Sequence, residues 1–173
     1  ESGGTTTLIL ADRSLTADDN LTAAAGRIDL VTRGEVDLST GNLSGIASIS
    51  GDPDIVTDLT LTLAQFKALE DGILGQSDPD QGRLTSVTLI NDGDQPQTLE
   101  GTAGLDTVAE LRLGEGLVLK LGNPAELEAF DAVSTADGGR LELSLEVASA
   151  LAEQQADDYT SLDRTLFGTA GEY

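Results

Sequence analysis

The chain contains no cysteine, methionine, histidine or tryptophan, and aromatic residues make up only 3% of its 173 positions. Without cysteine there is no disulfide, no thiolate nucleophile and no ordinary zinc or iron–sulfur site. Without histidine the usual nucleophilic triads are excluded, and catalysis would have to rely on carboxylates, arginines, Lys67 or Lys120. No apolar run approaches the roughly 20 residues of a membrane span. We therefore expect a protein that is not an enzyme and does not insert into a membrane.

Acidic residues dominate the charge. The chain has 31 Asp and Glu against nine Lys and Arg, which gives a net charge of −22. The acids are spread along the chain, so phosphate groups would be repelled everywhere, and we expect no nucleic-acid partner. Two interpretations of the acid stay open. It can keep an extracellular protein soluble, or it can bind divalent cations in Asp-rich turns.

The sequence resembles itself at an offset of about 80 residues, which is the signature of a repeat protein. Thr7–Asp12 returns as Val87–Asp92, and Leu59–Leu63 aligns with Leu141–Leu145 with its apolar positions kept. A third copy opens near the end of the chain. The predicted organisation is a flexible lead-in, two repeats and the start of a third repeat, at residues 1–5, 6–85, 86–157 and 158–173.

Short apolar segments separated by glycines predict short strands joined by turns. Leu59–Leu63 alternates apolar and polar residues with period two, and Ala64–Glu70 after it predicts a short helix. The second copy has the same order, with Glu146–Glu153 as its helix, and Phe66 and Phe130 are predicted core residues. We therefore predict an all-β fold, a β-solenoid of the parallel β-helix kind with one short helix per repeat. A pair of tandem β-sandwiches is the alternative.

Three turns carry two aspartates at i, i+2 spacing, which can aim two carboxylates at one cation. None has the further ligands and the bidentate Glu of a complete EF-hand loop. Each pair could instead lie in a solvated turn that binds no cation. If the pairs do bind a cation, the predicted cofactor is calcium. The pairs are Asp52 with Asp54, Asp78 with Asp80, and Asp92 with Asp94.

Two glycine-rich stretches, Gly101–Val108 and Gly168–Gly171, resemble the nonapeptide of the repeats-in-toxin family. In that family glycines allow tight turns, and an Asp on each turn helps to bind calcium between stacked rungs of a β-roll. The resemblance implies that Asp106 is a calcium ligand. Single copies occur here rather than consecutive nonapeptides, so a calcium-filled β-roll over the whole chain is not predicted.

A second resemblance covers more of the chain. Val36–Ser39, Asn42–Ile49 and Leu59–Gln65 are similar to segments of large bacterial surface-layer proteins and repeats-in-toxin adhesins. This resemblance implies a secreted, extracellular scaffold at the cell surface that calcium stabilises. The function we expect is a structural or adhesive repeat module of a surface layer, filament or adhesin. Its expected partners are further copies of itself or neighbouring repeats.

Two other functions stay open. A glycan- or ice-binding module would need an ordered row of exposed threonines or aromatics, and Thr5–Thr7, Thr60 and Thr62 are the candidates. The partner would then be a cell-surface glycan or ice. The chain could also be the non-catalytic part of a secreted enzyme that acts on polysaccharides.

Overall fold

The computed structural model shows a β-solenoid of about six turns, built mostly from parallel strands. It describes residues 4–23, 26–52, 54–74, 77–78 and 83–157. The predicted all-β solenoid with few helices is confirmed. None of the described helices is long and apolar enough to cross a membrane.

The elements are short and follow one another without long connections. In chain order they are β1 Thr5–Ser14, β2 Asn20–Thr22, β3 Arg27–Asp37, β4 Asn42–Ser44, β5 Ile46–Gly51, β6 Thr57–Thr62, α1 Leu63–Lys67, β7 Gly72–Leu74, β8 Ser77–Asp78, β9 Arg83–Ile90, β10 Gln97–Glu100, β11 Leu105–Asp106, β12 Val108–Leu113, β13 Leu117–Leu121, a 3₁₀ helix Pro124–Ala129, β14 Phe130–Ser134, β15 Arg140–Leu143 and α2 Leu145–Asp157.

Each turn of the solenoid, here called a coil, has up to three straight sides. Coils one to six begin at β1, β3, β5, β7, β11 and β14. The first and second sides belong to one ten-stranded sheet, and the third side is divided between the sheets β2–β4 and β10–β13–β15. The strand pairs are parallel, apart from the short β8, which lies antiparallel to β9. Parallel stacking of this kind is what distinguishes the solenoid from the β-sandwich alternative.

In coils one, two and five, a single residue with positive φ makes the corner between the first and second sides. β3 runs through this corner: Ile28–Thr32 pairs with β5, and Gly34–Asp37 pairs with β6. Gly34, with φ +63°, makes the turn, and Asp12 and Thr107 have φ of 42° and 51° at the same corner of coils one and five. The apolar pattern predicts two separate strands here, whereas the structure forms one bent strand, because a single left-handed residue is enough to turn the chain.

The core consists of ladders in which one inward side chain from each coil stacks on the next. On the second side the ladder is Val36, Leu59, Val87, Leu111 and Val133, and these residues are almost completely buried. Leu59 and Leu61 point inward and Thr60 outward, as their alternation predicts. Phe66 and Phe130 are also buried, so their assignment to the core is confirmed.

The structural repeat is the coil. The register places Asn42 over Asn20, 22 residues later, and Thr85 over Thr57, 28 residues later. The repeats predicted at 6–85 and 86–157 therefore each contain several coils. Their boundary lies inside β9, which pairs with β6 on one edge and β12 on the other, so the main sheet continues across it.

The helices occupy positions close to those predicted. The sequence predicts Ala64–Glu70 and Glu146–Glu153, and the structure forms α1 over Leu63–Lys67 and α2 over Leu145–Asp157. Thr62 and Gln65 form a capping box, each side chain accepting from the backbone N–H of the other, which starts α1 directly after β6. Gly72, with φ +75°, follows at the start of β7.

Candidate functional site: the open edge of the first coil

The outer edge of β1 lies at the beginning of the stack. One edge of β1 pairs in parallel with β3 over Thr5–Ser14, with one irregularity between Ala11 and Arg13. Among the described residues no strand pairs with the opposite edge. We call this opposite edge, over Thr5–Ala11, the open edge.

Backbone hydrogen bonding shows which residues of β1 direct their N–H and C=O groups towards the open edge. The N–H of Arg27 donates to the carbonyl of Gly4, and the N–H of Ile28 donates to the carbonyl of Gly45 in the next coil. In a strand, successive residues direct their N–H and C=O to opposite edges. Even-numbered residues of Thr5–Ala11 therefore bond to β3, and the odd-numbered ones direct their N–H and C=O outward.

The open edge is neutral and moderately apolar. Thr5–Ala11 contains no charged residue, although the chain as a whole carries a net charge of −22. Leu10 points into the core and is buried, whereas the side chain of Ile9 points outward and is 51% exposed. Natural edge strands are usually protected from pairing by charge, lysine, proline or a bulge. Over Thr5–Ala11 none of these is present, and the irregularity comes only after Ala11.

The other end of the stack is covered by α2. Val147 and Leu151 of α2 are buried against the last coil, and the helix contacts β15 and the 3₁₀ helix. Ser144 caps the helix by accepting from the N–H of Val147 and donates to the carbonyl of Gly122 in the previous coil. Within the described residues, the last coil is therefore covered by α2, and the first coil presents the neutral edge of β1.

Several of the described basic side chains link neighbouring coils. Lys120 lies between Glu100 and Glu142 of the neighbouring coils, with Nζ–Oε distances of 3.3 and 3.9 Å. Lys67, on the third side of coil three, donates to the carbonyl of Thr98 in coil four. These contacts employ both lysines as connectors between coils.

Arg112 connects coils on the second side. Its guanidinium contacts Glu110 in the same strand at 2.8 Å and Asp58, two coils earlier, at 3.0 Å. The hydrogen bond to Glu110, followed by that to Asp58, raises the pKa of the Arg112 guanidinium. Glu35, Asp58, Ser86 and Glu110 are in register along this side, so Arg112 offsets part of the repulsion between stacked acids.

Of the predicted calcium ligands, Asp52 is the most constrained. Its side chain is buried, accepts from the backbone N–H of Asp54 at 2.8 Å and pairs with Nε of Arg33 at 2.5 Å. The hydrogen bond from Asp54, together with Arg33, holds the pKa of Asp52 below its usual value. Asp52 therefore stabilises the turn after β5, whereas the side chain of Asp54 is exposed.

The other predicted ligands are dispersed. Asp92 accepts from the side-chain amide of Gln97 at 2.8 Å, and Asp94 is exposed in the same turn. Asp78 lies in β8 and Asp106 in β11, and their side chains lie outside the described part of the structure, as does the whole of Asp80. Within the described residues no three acidic side chains come together as a metal site. Calcium binding therefore stays a prediction from the sequence.

The threonine candidates do not form a long row. Thr60 stands outward on the second side in register with Thr88, but Asp37 precedes this pair and Arg112 follows it in the neighbouring coils. Thr62 is largely buried as the N-cap of α1. Thr5–Thr7 lie on β1, next to Arg27, Ile28 and Asp29 of the following coil. The described threonine row is thus two coils long.

The β-branched and apolar residues of Thr6–Leu10 predict a strand, but they do not predict that it lies at an edge. The signal was the uncharged stretch Thr5–Ala11 in a strongly acidic chain. The chain matches no known protein family, no curated protein and no solved structure. The functional interpretation therefore depends on the geometry of the coils.

Proposed function

We propose that this chain is a structural repeat module of a secreted bacterial cell-surface protein, in a surface layer, filament or adhesin. The observation that carries the proposal is one continuous stack, in which successive coils contribute mostly parallel strands to a single ten-stranded sheet. Within the described residues, α2 covers the last coil and no strand pairs with the outer edge of β1. An edge of this kind is suited to joining the solenoid to further β-structure.

The interior and the connecting contacts support a mechanical role. The same ladder of buried aliphatic side chains continues through five coils, from Val36 to Val133. In such stacks each coil is stabilised by its neighbours, which makes a stiff, extended element without one large globular core. The ion pairs of Lys120 and Arg112 between coils reinforce this arrangement.

The surface supports an extracellular position. A net charge of −22 keeps a crowded surface protein dispersed, and a chain without cysteine needs no oxidising step to fold. Calcium belongs to the proposal as a stabilising ion, and the exposed Asp54 and Asp94 are its candidate ligands in the described turns.

Labelling of intact cells tests the proposal. Antibodies raised against the folded chain should bind intact cells of the source organism, and protease added outside the cells should remove that signal. A cytoplasmic enzyme of known location serves as the control for cell lysis. If the chain is found only inside intact cells, the proposed function is wrong.

A further inference from the structure

We propose that Asn42 is a site of N-linked glycosylation, at which a sugar activated by a pyrophosphate group is transferred to the side-chain amide. The proposal goes beyond the proposed structural function, because it assigns a covalent modification to the third side of the stack. Its basis is a sequence motif that occurs twice and that the fold stacks in register.

The motif is a tripeptide of asparagine, any residue except proline, and serine or threonine. This tripeptide is the acceptor of N-glycosylation. The chain contains four asparagines, and two of them begin such a tripeptide, at Asn20–Thr22 and Asn42–Ser44. Asn91 and Asn123 have no hydroxyl residue two positions later, so they serve as internal controls.

The fold turns both motifs outward. They form β2 and β4, which pair in parallel with Asn42 next to Asn20. Ser44 likewise lies next to Thr22. Alternate side chains of a strand face the same side, so the asparagine and the hydroxyl residue of each motif are both exposed, while Leu43 packs against the core. A sugar at Asn42 would therefore leave from the outer surface and displace no core residue.

The side-chain amide of Asn42 can carry a sugar and keep its present hydrogen bond. Its Nδ2 donates to the carbonyl of Ala17 in coil one at 3.2 Å, and an unmodified amide nitrogen has two hydrogens. In the transfer, Nδ2 bonds to the anomeric carbon of the sugar and gives one proton to a base of the transferase. The bond from that carbon to the pyrophosphate oxygen breaks, and the pyrophosphate leaves with the electron pair. The second hydrogen stays on Nδ2 and can still donate to Ala17.

The neighbouring coils leave room at Asn42. Coil two lies between coils one and three, so the exposure of Asn42 is a property of the stack. In coil three α1 takes the place of the third-side strand, so no described strand of that coil has a residue in register with Asn42. Gln65 of α1 donates to the carbonyl of Gly41 at 2.9 Å and so attaches the helix beside β4. Asn20 has the same motif but lies in the first coil, and the proposal is confined to Asn42.

The fold does not use the hydroxyl of Ser44. Ser44 is exposed, and its side chain makes no hydrogen bond to another described residue. By contrast, Ser48 in the next coil donates to Asp29 at 2.9 Å. The motif therefore contains one side chain that the fold employs, Asn42, and one that it does not, Ser44. Substitution of Ser44 can test the modification without disturbing the stack.

The experiment is mass spectrometry of tryptic peptides from the full chain isolated from its source cells. The same chain made in a host without a transferase is the unmodified reference. Arg27 and Arg33 lie between the two motifs, so trypsin separates them. We expect added sugar on the peptide that contains Asn42. The mass of one sugar would indicate a nucleotide sugar as the donor, whereas a preassembled oligosaccharide would indicate a lipid-linked donor, and either result supports the proposal.

Two substitutions of Ser44 separate modification from folding. Ser44→Ala removes the hydroxyl but leaves the amide of Asn42 in place, so it should abolish the added mass. Ser44→Thr keeps a hydroxyl at this position and should keep the modification. Without the transferase, both variants should melt at the wild-type temperature, because Ser44 is exposed.

Three results would overturn the proposal. One is an unmodified Asn42 in chain that reaches the surface of intact cells. Another is sugar on Asn20 alone, and the third is a modification of Asn42 that survives Ser44→Ala. A chain at the cell surface without sugar would contradict this inference and leave the proposed function standing, whereas a chain found only inside cells would contradict the proposed function.

Discussion

Replacing Gly72 by alanine tests how closely the coils stack. Gly72 begins β7 with φ +75°, and a Cβ atom there would lie 2.1 Å from the carbonyl oxygen and 2.5 Å from the Cα of Gly104 in the next coil. A side chain in the left-handed region costs about 1–2 kcal/mol. The clash involves backbone, so no rotamer change relieves it, and separating the two coils adds about 1–3 kcal/mol.

The same substitution also weakens a hydrogen bond. The N–H of Ile73 donates to the carbonyl of Gly104 at 2.6 Å, and moving the coils apart lengthens this bond at a cost of about 1 kcal/mol. We therefore expect Gly72→Ala to lower the free energy of unfolding by about 3–6 kcal/mol. Urea unfolding followed by circular dichroism measures this change.

Two alanine substitutions separate the causes. A Cβ atom added at Gly122 would meet no other atom within 4 Å, and this glycine has no positive φ, so Gly122→Ala should change the free energy of unfolding by less than about 0.5 kcal/mol. Gly101 has φ +71°, but its new Cβ would meet only the side chain of Glu126, so Gly101→Ala should cost little more than the backbone strain. If Gly72→Ala lowers the free energy of unfolding no more than Gly101→Ala does, the two coils do not approach each other as closely at Gly72 as described.

Three other predictions concern the core, pH and calcium. Leu111→Ala removes a fully buried side chain from the ladder of the second side and should cost about 2–5 kcal/mol in urea unfolding; a loss below about 1 kcal/mol would contradict the stacked core. Asp52 has a folded pKa below its unfolded value, so its stabilising contribution is complete above about pH 4 and disappears as the pH falls through the folded pKa. The difference in unfolding free energy between wild type and Asp52→Asn should therefore shrink below about pH 4, and a difference that does not change with pH would contradict this role of Asp52. Millimolar calcium, compared with excess chelator, should raise the melting temperature if calcium binds only the folded chain, and an unchanged temperature would remove calcium from the proposal.

The elements of the solenoid could be predicted where local pattern determines them. Leu59–Leu63 alternates between apolar and polar residues because one face of β6 is buried in the core. Thr62 and Gln65 start α1 through hydrogen bonds between residues close in sequence. The coil period could not be read in the same way. The offset between stacked residues varies from 18 at Ile28 to 32 at Ile73, because the connections between sides differ in length. The coil therefore has no fixed period in the sequence.

Most of the candidate site depended on pairing that the sequence does not contain. Thr5–Ala11 differs from the rest of the chain by its lack of charge, but only the strand pairing shows that, among the described residues, no strand pairs with its outer edge. The corner residues Asp12, Gly34 and Thr107 share a positive φ but no residue type, so the turn between the first two sides has no sequence signature. In the same way, the i, i+2 spacing of Asp52 and Asp54 could not show that Arg33 pairs with Asp52.

Residue-resolved amide hydrogen exchange by NMR examines the stack and its open edge together. In dilute solution the amides of Thr7 and Ile9 should exchange rapidly, because they face away from β3, while those of Leu8 and Leu10 should be protected by their bonds to β3. Protection at Thr7 and Ile9 in dilute solution would mean that the edge is already covered. Rapid exchange at Leu8 and Leu10 would mean that β1 does not stack on the second coil, and either result would contradict a stack in which β1 pairs with β3 along one edge only.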